Sequence, residues 1–223
     1  MESTLKLYHY DHCPYCAKSR MIFGLKNIKV EEHILLNDDE ATPIKMIGKK
    51  AVPILQKDDK SYLPESLDII KYIDSNFGGT EIVSYVAPRS EIQDWIYSAR
   101  NYAYDLAMPR WVKMPLKEFA TESAQQYFQT KKEKSNIGLF SVALEKSPEF
   151  IKKAESELKY LENLMLENDR FYNDEIHIDD FHIFATLRNL TTVKNLKWPS
   201  KVLKYVNDSS KKSKVNLFFD HAI

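Results

Sequence analysis

Leu5-Lys6-Leu7-Tyr8-His9-Tyr10-Asp11-His12-Cys13-Pro14-Tyr15-Cys16 is the stretch on which the reading of this chain turns. Residues 5–10 read as a short strand with Leu5 and Leu7 on one face. Asp11-His12-Cys13-Pro14 then reads as a helix start, because a first-turn proline forfeits only an N–H that the helix would leave without a partner anyway. Ala17, Met21, Ile22 and Leu25 continue at helical spacing. The turn from strand to helix therefore carries two cysteines three residues apart, the only two in the chain.

Outward from that turn, residues 30–36 read as a second strand, broken by Asn37-Asp38-Asp39. Thr42-Pro43 opens a short helix through Ile47, with Gly48 as its stop. Residues 52–55 and 61–63 flank Asp58-Asp59 and suit a hairpin. Glu65 or Ser66 starts a helix in which Leu67, Ile70 and Ile73 keep a three-to-four rhythm. The order is β-α-β-α-β-β-α, a mixed α/β unit over residues 1–76.

Phe77-Gly78-Gly79-Thr80 marks the boundary, with a linker over 77–88 and an all-helical domain over 89–223. In that second part Trp95, Ile96, Ala99, Tyr102, Ala103 and Leu106 recur at helical spacing, as do Leu158, Leu161, Leu164 and Met165. Phe181, Phe184, Ala185, Leu187 and Leu190 repeat the pattern, and residues 198–205 suggest a last helix. Residues 209–214 are polar and read as an exposed connection.

The charge balance is even, 32 basic against 32 acidic groups in 223 residues. Nucleic acid and anionic membranes both select a basic surplus, so neither is an expected partner. Five glycines lean towards helix rather than a turn-rich β chain. The longest apolar run, residues 137–144, is far short of the ~18 residues that span a bilayer. Residues 1–6 lack a basic region followed by an apolar stretch, so no secretory signal is read. Two cysteines do not make a disulfide framework. The expectation is a monomer in a reducing cytoplasm.

The chemistry of Cys13-Pro14-Tyr15-Cys16 is a matter of protonation. A free thiol near pKa ~8.5 is only ~3% thiolate at pH 7. Helix N-terminal N–H groups favour an anion; a shift to about 5.5 would make the thiol ~97% thiolate, about 4 kcal/mol of differential stabilisation. Cys13, at the helix start with the more exposed sulfur, reads as the nucleophile. Cys16, one turn deeper and close enough to form a disulfide with it, reads as the resolving thiol. Two rivals stand beside this. The spacing could be chance, or His9, His12, Cys13 and Cys16 could form a zinc site, although His9 falls on the strand. His12 either tunes or merely flanks the thiolate, and on its own reads as a surface histidine. A cis Val52–Pro53 bond would turn the Val52 backbone towards a ligand, while an ordinary trans edge proline is the plainer reading. Ser66 is either a helix cap or, with nearby N–H groups, a carboxylate binder, in which case Glu65 pairs with an α-amino group.

Taken together these residues resemble a glutaredoxin, and more closely the bacterial, glutathione-transferase-like glutaredoxin-2 type. The resemblance runs through residues 10–16, 21–27, 35–39, 52–57 and 64–66, and continues at Leu187-Arg188-Asn189-Leu190-Thr191 and Trp198-Pro199-Ser200. It implies a thioredoxin-fold N-terminal domain followed by an all-α, glutathione-transferase-type C-terminal domain. It also implies glutathione as cosubstrate, with no bound metal or permanent cofactor, and glutathionylated or disulfide-containing proteins as partners. Residue by residue, it makes Cys13 the nucleophile and Cys16 the second active-site thiol. Val52 and the cis-proline Pro53 would meet the cysteinyl part of glutathione, Glu65 and Ser66 the γ-glutamyl end, and Tyr15 would border the pocket.

One position departs from the pattern. The transferase-type domain caps a central helix with Ser or Thr three residues before an Asp; here Asp180 is present but the cap position is His177. A lost cap would cost ~0.5–2 kcal/mol. The resulting expectation is a glutathione-dependent thiol–disulfide oxidoreductase. The same scaffold also suits a glutathione transferase or dehydroascorbate-reductase-like enzyme using Cys13 without Cys16, and a non-enzymatic module. An iron–sulfur carrier fits less well, since the two thiols compete to form a disulfide.

Overall fold

In a computed structural model of the chain, which describes residues 5–173 and 176–223, β1 (Lys6–His9) buries Leu7 and His9. Leu5 precedes them on the same face, as period-two alternation requires. Helix α1 (Pro14–Leu25) follows with Cys13 at its N-cap in extended conformation and Pro14 in its first turn. β2 (Glu31–Ile34) lies parallel to β1, and α2 (Ala41–Ile47) ends at Gly48, whose φ of +75° lets its N–H reach the Ile44 carbonyl at 2.8 Å. β3 (Ile54–Gln56), β4 (Tyr62–Pro64) and α3 (Ser66–Asn76) complete the series.

The sheet order is β2-β1-β3-β4, with β3 antiparallel to both β1 and β4. α1 and α3 pack together. Ile22, Leu55, Ile69, Ile70 and Ile73 are fully withdrawn from water, each worth ~1.5–3 kcal/mol relative to exposure. The strands are shorter than the sequence suggests. β2, at the sheet edge, pairs over Glu31–Ile34 alone rather than over 30–36.

Further along, β5 (Val83–Ser84) and α4 (Ser90–Trp111) lead to a 3-10 turn at Lys117–Phe119 and to α5 (Glu122–Lys132). The chain divides into two compact units, and Pro115–Lys131 and Ser213–Val215 join the one built on residues up to Glu81. The division at 77–88 read from the sequence assigns both segments to the helical part. Polar pairs distant in sequence hold the first in place. The Asn37 N–H donates to the Glu118 carbonyl at 2.9 Å, Ser123 Oγ donates to Asp38 at 2.6 Å, and Tyr127 donates to Glu40. None of these leaves a periodic trace in the sequence.

The second unit contains α4, α6 (Phe140–Glu145), α7 (Ser147–Asn163), β6 (Ile176–His177), α8 (Ile178–Leu190) and most of α9 (Ser200–Ser213). α4 packs against α6, α7 and α8. Trp95, Tyr102, Leu106, Leu158, Leu161, Phe181 and Phe184 are buried, as their spacing predicts, whereas Leu164 and Met165 fall beyond the end of α7. Three features correct the sequence reading. β5 and β6 pair in parallel over two residues each, too short for periodicity to register. Residues 209–213 continue α9 and Ser213 is buried, because Val202, Val206 and Ser213 recur at helical spacing. The cap of α8 is not lost either. His177 Nδ1 accepts the Asp179 N–H at 3.1 Å, and Asp180 accepts the His177 N–H at 2.9 Å. An imidazole lone pair thus does what a hydroxyl oxygen does in the usual capping box, and Nε2–H donates to the Val86 carbonyl at 2.8 Å. Among the described residues no helix is long and apolar enough to cross a membrane.

Candidate redox site

Cys13 stands at the N-cap of α1, at φ −69° and ψ 121°, where the side chain faces the free N–H groups of the first turn. It keeps 9% of its surface, and Cys16 keeps none. Hydrogen bonding from the Cys16 thiol is the largest influence on Cys13 and lowers its pKa. Burial opposes this, but the His12 charge and the Cys16 and Tyr15 backbone N–H groups bring the value to about 6. A thiol with a pKa of about 6 is ~90% thiolate at pH 7. Burial, followed by its donation to Cys13, pushes the Cys16 thiol up. One sulfur is therefore held as an anion and the other as its proton donor. This division suits attack by Cys13 on a disulfide sulfur.

Tyr10, Cys13 and Cys16 form one buried cluster, against which Leu35 and Val52 pack. The Val52–Pro53 bond is cis. Pro64 pairs with Ile54 across the β3–β4 ladder, so Glu65 and Ser66 emerge alongside residues 52 and 53. The cap reading of Ser66 is corrected here: Glu65 occupies the N-cap at φ +70°, and Ser66 is the first helical residue and buried. The Glu65 carboxylate is exposed and lies 2.9 Å from Lys49 Nζ. Tyr15 is exposed, with the Lys18 ammonium 4.7 Å over its ring.

The four nominal zinc ligands are otherwise engaged. His9 Nε2 lies 3.1 Å from Glu32, and His12 Nδ1 lies 2.7 Å from Glu118. Among the described residues no three His, Cys, Asp or Glu side chains are placed to hold a metal ion. His12 is not a surface residue, being buried next to the nucleophile. Sequence reading missed Glu118 entirely. Its sole signal was a lone acidic residue ahead of Phe119, which nothing tied to the cysteines.

Residues 91–222, more than half of the chain, match the family model described as Glutaredoxin 2, C terminal domain. The chain belongs to the glutaredoxin 2 family. Residues 7–81 match the Glutathione S-transferase, N-terminal domain. Glutaredoxin 2 of Escherichia coli (strain K12) is 45% identical over 219 residues, covering 98% of this chain and 100% of its own length. A solved structure of Glutaredoxin 2 from Salmonella typhimurium, in complex with glutathione, has a TM-score of 0.93 at 46% identity and covers 99% of each chain. A glutathione S-transferase of Ceriporiopsis subvermispora, also in complex with glutathione, has a TM-score of 0.71 at 14% identity, covering 94% of this chain and 97% of that one. That second likeness is one of fold alone. The glutaredoxin 2 assignment bears out the fold class read from the sequence, a thioredoxin-like N-terminal domain and an all-α glutathione-transferase-like C-terminal domain.

Proposed function

We propose that the chain is a glutathione-dependent thiol–disulfide oxidoreductase that reduces glutathione mixed disulfides and protein disulfides, acting as a monomer in the cytoplasm. The observation that carries the reading is the placement of the two thiols, Cys13 at the N-terminus of α1 and Cys16 one turn deeper in the same buried cluster, with hydrogen bonding from Cys16 lowering the Cys13 thiol. Full-length similarity to glutaredoxin 2 proteins supports it.

The Cys13 thiolate attacks the glutathione sulfur of a mixed disulfide. The old S–S bond breaks, the partner leaves as a thiolate and takes a proton from solvent, and Cys13 remains bonded to glutathione. A second glutathione thiolate then attacks that glutathione sulfur and releases Cys13 as a thiolate, with oxidised glutathione as product. Low basicity helps Cys13 chiefly in this last step, because a thiol of lower pKa leaves faster. On protein disulfides the Cys13 thiolate attacks one sulfur, giving a Cys13–protein mixed disulfide and freeing the other protein thiol. Cys16 then loses its proton and attacks the Cys13 sulfur, the bond to the protein breaks and the second protein thiol leaves. Two glutathiones reduce the resulting Cys13–Cys16 disulfide and depart as oxidised glutathione. Val52 and Pro53 align the cysteinyl part of glutathione, Glu65 and Ser66 hold its γ-glutamyl end, and Tyr15 borders the pocket. Glutathione enters and leaves as cosubstrate, with no permanently bound cofactor.

A glutathione-coupled assay on a small glutathione mixed disulfide tests this with Cys13→Ser and Cys16→Ser. Activity lost in the first and kept in the second is the expected outcome. An inactive wild type that still binds glutathione would sink the oxidoreductase reading in favour of a transferase or a binding module.

A further inference from the structure

Glu118 is completely buried on the 3-10 turn Lys117–Phe119. Its Oε1 accepts twice from His12, which is 106 residues earlier: from the backbone N–H at 2.8 Å and from ring Nδ1 at 2.7 Å. Its Oε2 has no hydrogen-bond partner among the described residues. The imidazole is walled by Tyr10 (ring centroids 5.6 Å apart), Phe119 (4.9 Å) and the edge of Phe128 (5.1 Å). A carboxylate placed in such apolar surroundings is costly unless hydrogen-bond donors compensate it. Here the donors that do so belong to the residue immediately before Cys13.

We infer that Glu118 is a positioning residue for Cys13, acting through His12: it fixes the backbone just ahead of the nucleophile and holds the imidazole beside the thiolate. The inference rests on the reading of Cys13 as the reacting thiol. Two influences of opposite sign make it testable. The Glu118 charge acting directly disfavours a nearby thiolate and raises the Cys16 thiol. The His12 charge favours the thiolate and lowers Cys13. If Glu118 acted only through its own field, its removal would make Cys13 more acidic. If it acts by holding His12, its removal makes Cys13 less acidic. The other titratable groups around this pair are Cys16 and Tyr15 on α1, and Tyr10 with Asp39 and Tyr127 near it. Burial, reinforced by Cys16 and Cys13, raises the Tyr10 phenol and keeps it neutral.

The test is the pH midpoint of Cys13 alkylation by iodoacetamide in the reduced full chain, followed on the Cys13 peptide without glutathione. Glu118→Gln should move the midpoint up by about one pH unit, and Glu118→Asp should recover part of the shift. His12→Asn should give a rise of its own, and Glu118→Gln added to it should give no more. An unchanged or lowered midpoint in folded Glu118→Gln overturns the inference. Should that variant not fold, an unchanged midpoint in His12→Asn does the same. A shifted midpoint in a chain without glutathione-coupled activity would uphold the inference while the functional reading fell. Full activity in the wild type with no shift in the variants would do the reverse.

Discussion

Lys26 Nζ lies 3.0 Å from Asp74 Oδ1 with 0% and 3% of the two side chains exposed, joining the end of α1 to α3. The ammonium also donates to the Asp74 and Thr80 carbonyls, at 2.5 and 3.1 Å. Breaking such a pair leaves a charge buried without its counter-ion, which costs about 3–5 kcal/mol, whereas replacing both partners with apolar groups is often neutral. Asp74→Ala should therefore lower stability by that amount in urea denaturation, and Lys26→Met with Asp74→Leu should recover most of it. A loss below ~1 kcal/mol for the single variant would mean that the pair behaves like a surface one.

Gly24 presents a different constraint. A Cβ built there would lie 1.7 Å from the Ser213 carbonyl oxygen, a backbone atom that cannot swing aside. Alanine is ordinarily better than glycine inside a helix by ~1 kcal/mol. Here the overlap wins, and Gly24→Ala should cost ~2 kcal/mol or more. Gly48→Ala meets no atom within 4 Å and faces only its φ of +75°, so a loss of ~1 kcal/mol is expected. Equal melting temperatures for the two variants would refute this ranking.

The Cys13 thiol owes its acidity first to the Cys16 donor. Cys16→Ala should raise the midpoint of thiolate absorbance above pH 6, while Cys16→Ser, which retains a hydroxyl donor, should raise it less. Stability follows the same linkage. The folded pKa is depressed from 9.0 to about 6, so the contribution is fully present above about pH 9 and lost as pH falls through about 6. The reduced protein should accordingly gain stability from pH 6 to pH 8 relative to Cys13→Ser. Parallel pH profiles would contradict the assignment.

Glu65 occupies φ +70° at the N-cap of α3, where a side chain is strained by ~1–3 kcal/mol. Glycine relieves that strain but adds ~0.5–1 kcal/mol of chain entropy to be lost on folding. Glu65→Gly should thus leave stability unchanged or raise it by up to ~2 kcal/mol, while weakening glutathione binding in calorimetry through loss of the carboxylate. Destabilisation by more than ~1 kcal/mol would show that the Lys49 contact, not ligand binding, keeps Glu65 there.

The sequence by itself determined the order of local elements and the chemistry that sits on a single turn. Periodicity located α1, α3 and, in the second unit, α4, α7, α8 and the first part of α9, but not the short α6. Pro14 and Gly48 marked helix ends through φ preferences that belong to those residues alone. The cysteine spacing placed Cys13 at a helix start and Cys16 one turn on. These are effects of neighbours within a few positions, which a linear reading contains. Only the tertiary structure decided that His12 is buried, that Glu118 returns from 106 residues away to meet it, and that the Ser213 carbonyl takes the space beside Gly24. It also decided that His177 replaces a hydroxyl as the cap of α8, since the imidazole accepts at Nδ1 with its proton on Nε2, where the Val86 carbonyl takes it. Each of these depends on two segments meeting in space. A pair contact of one carboxylate or one carbonyl imposes no pattern along the chain, so it exists only once packing has brought the segments together.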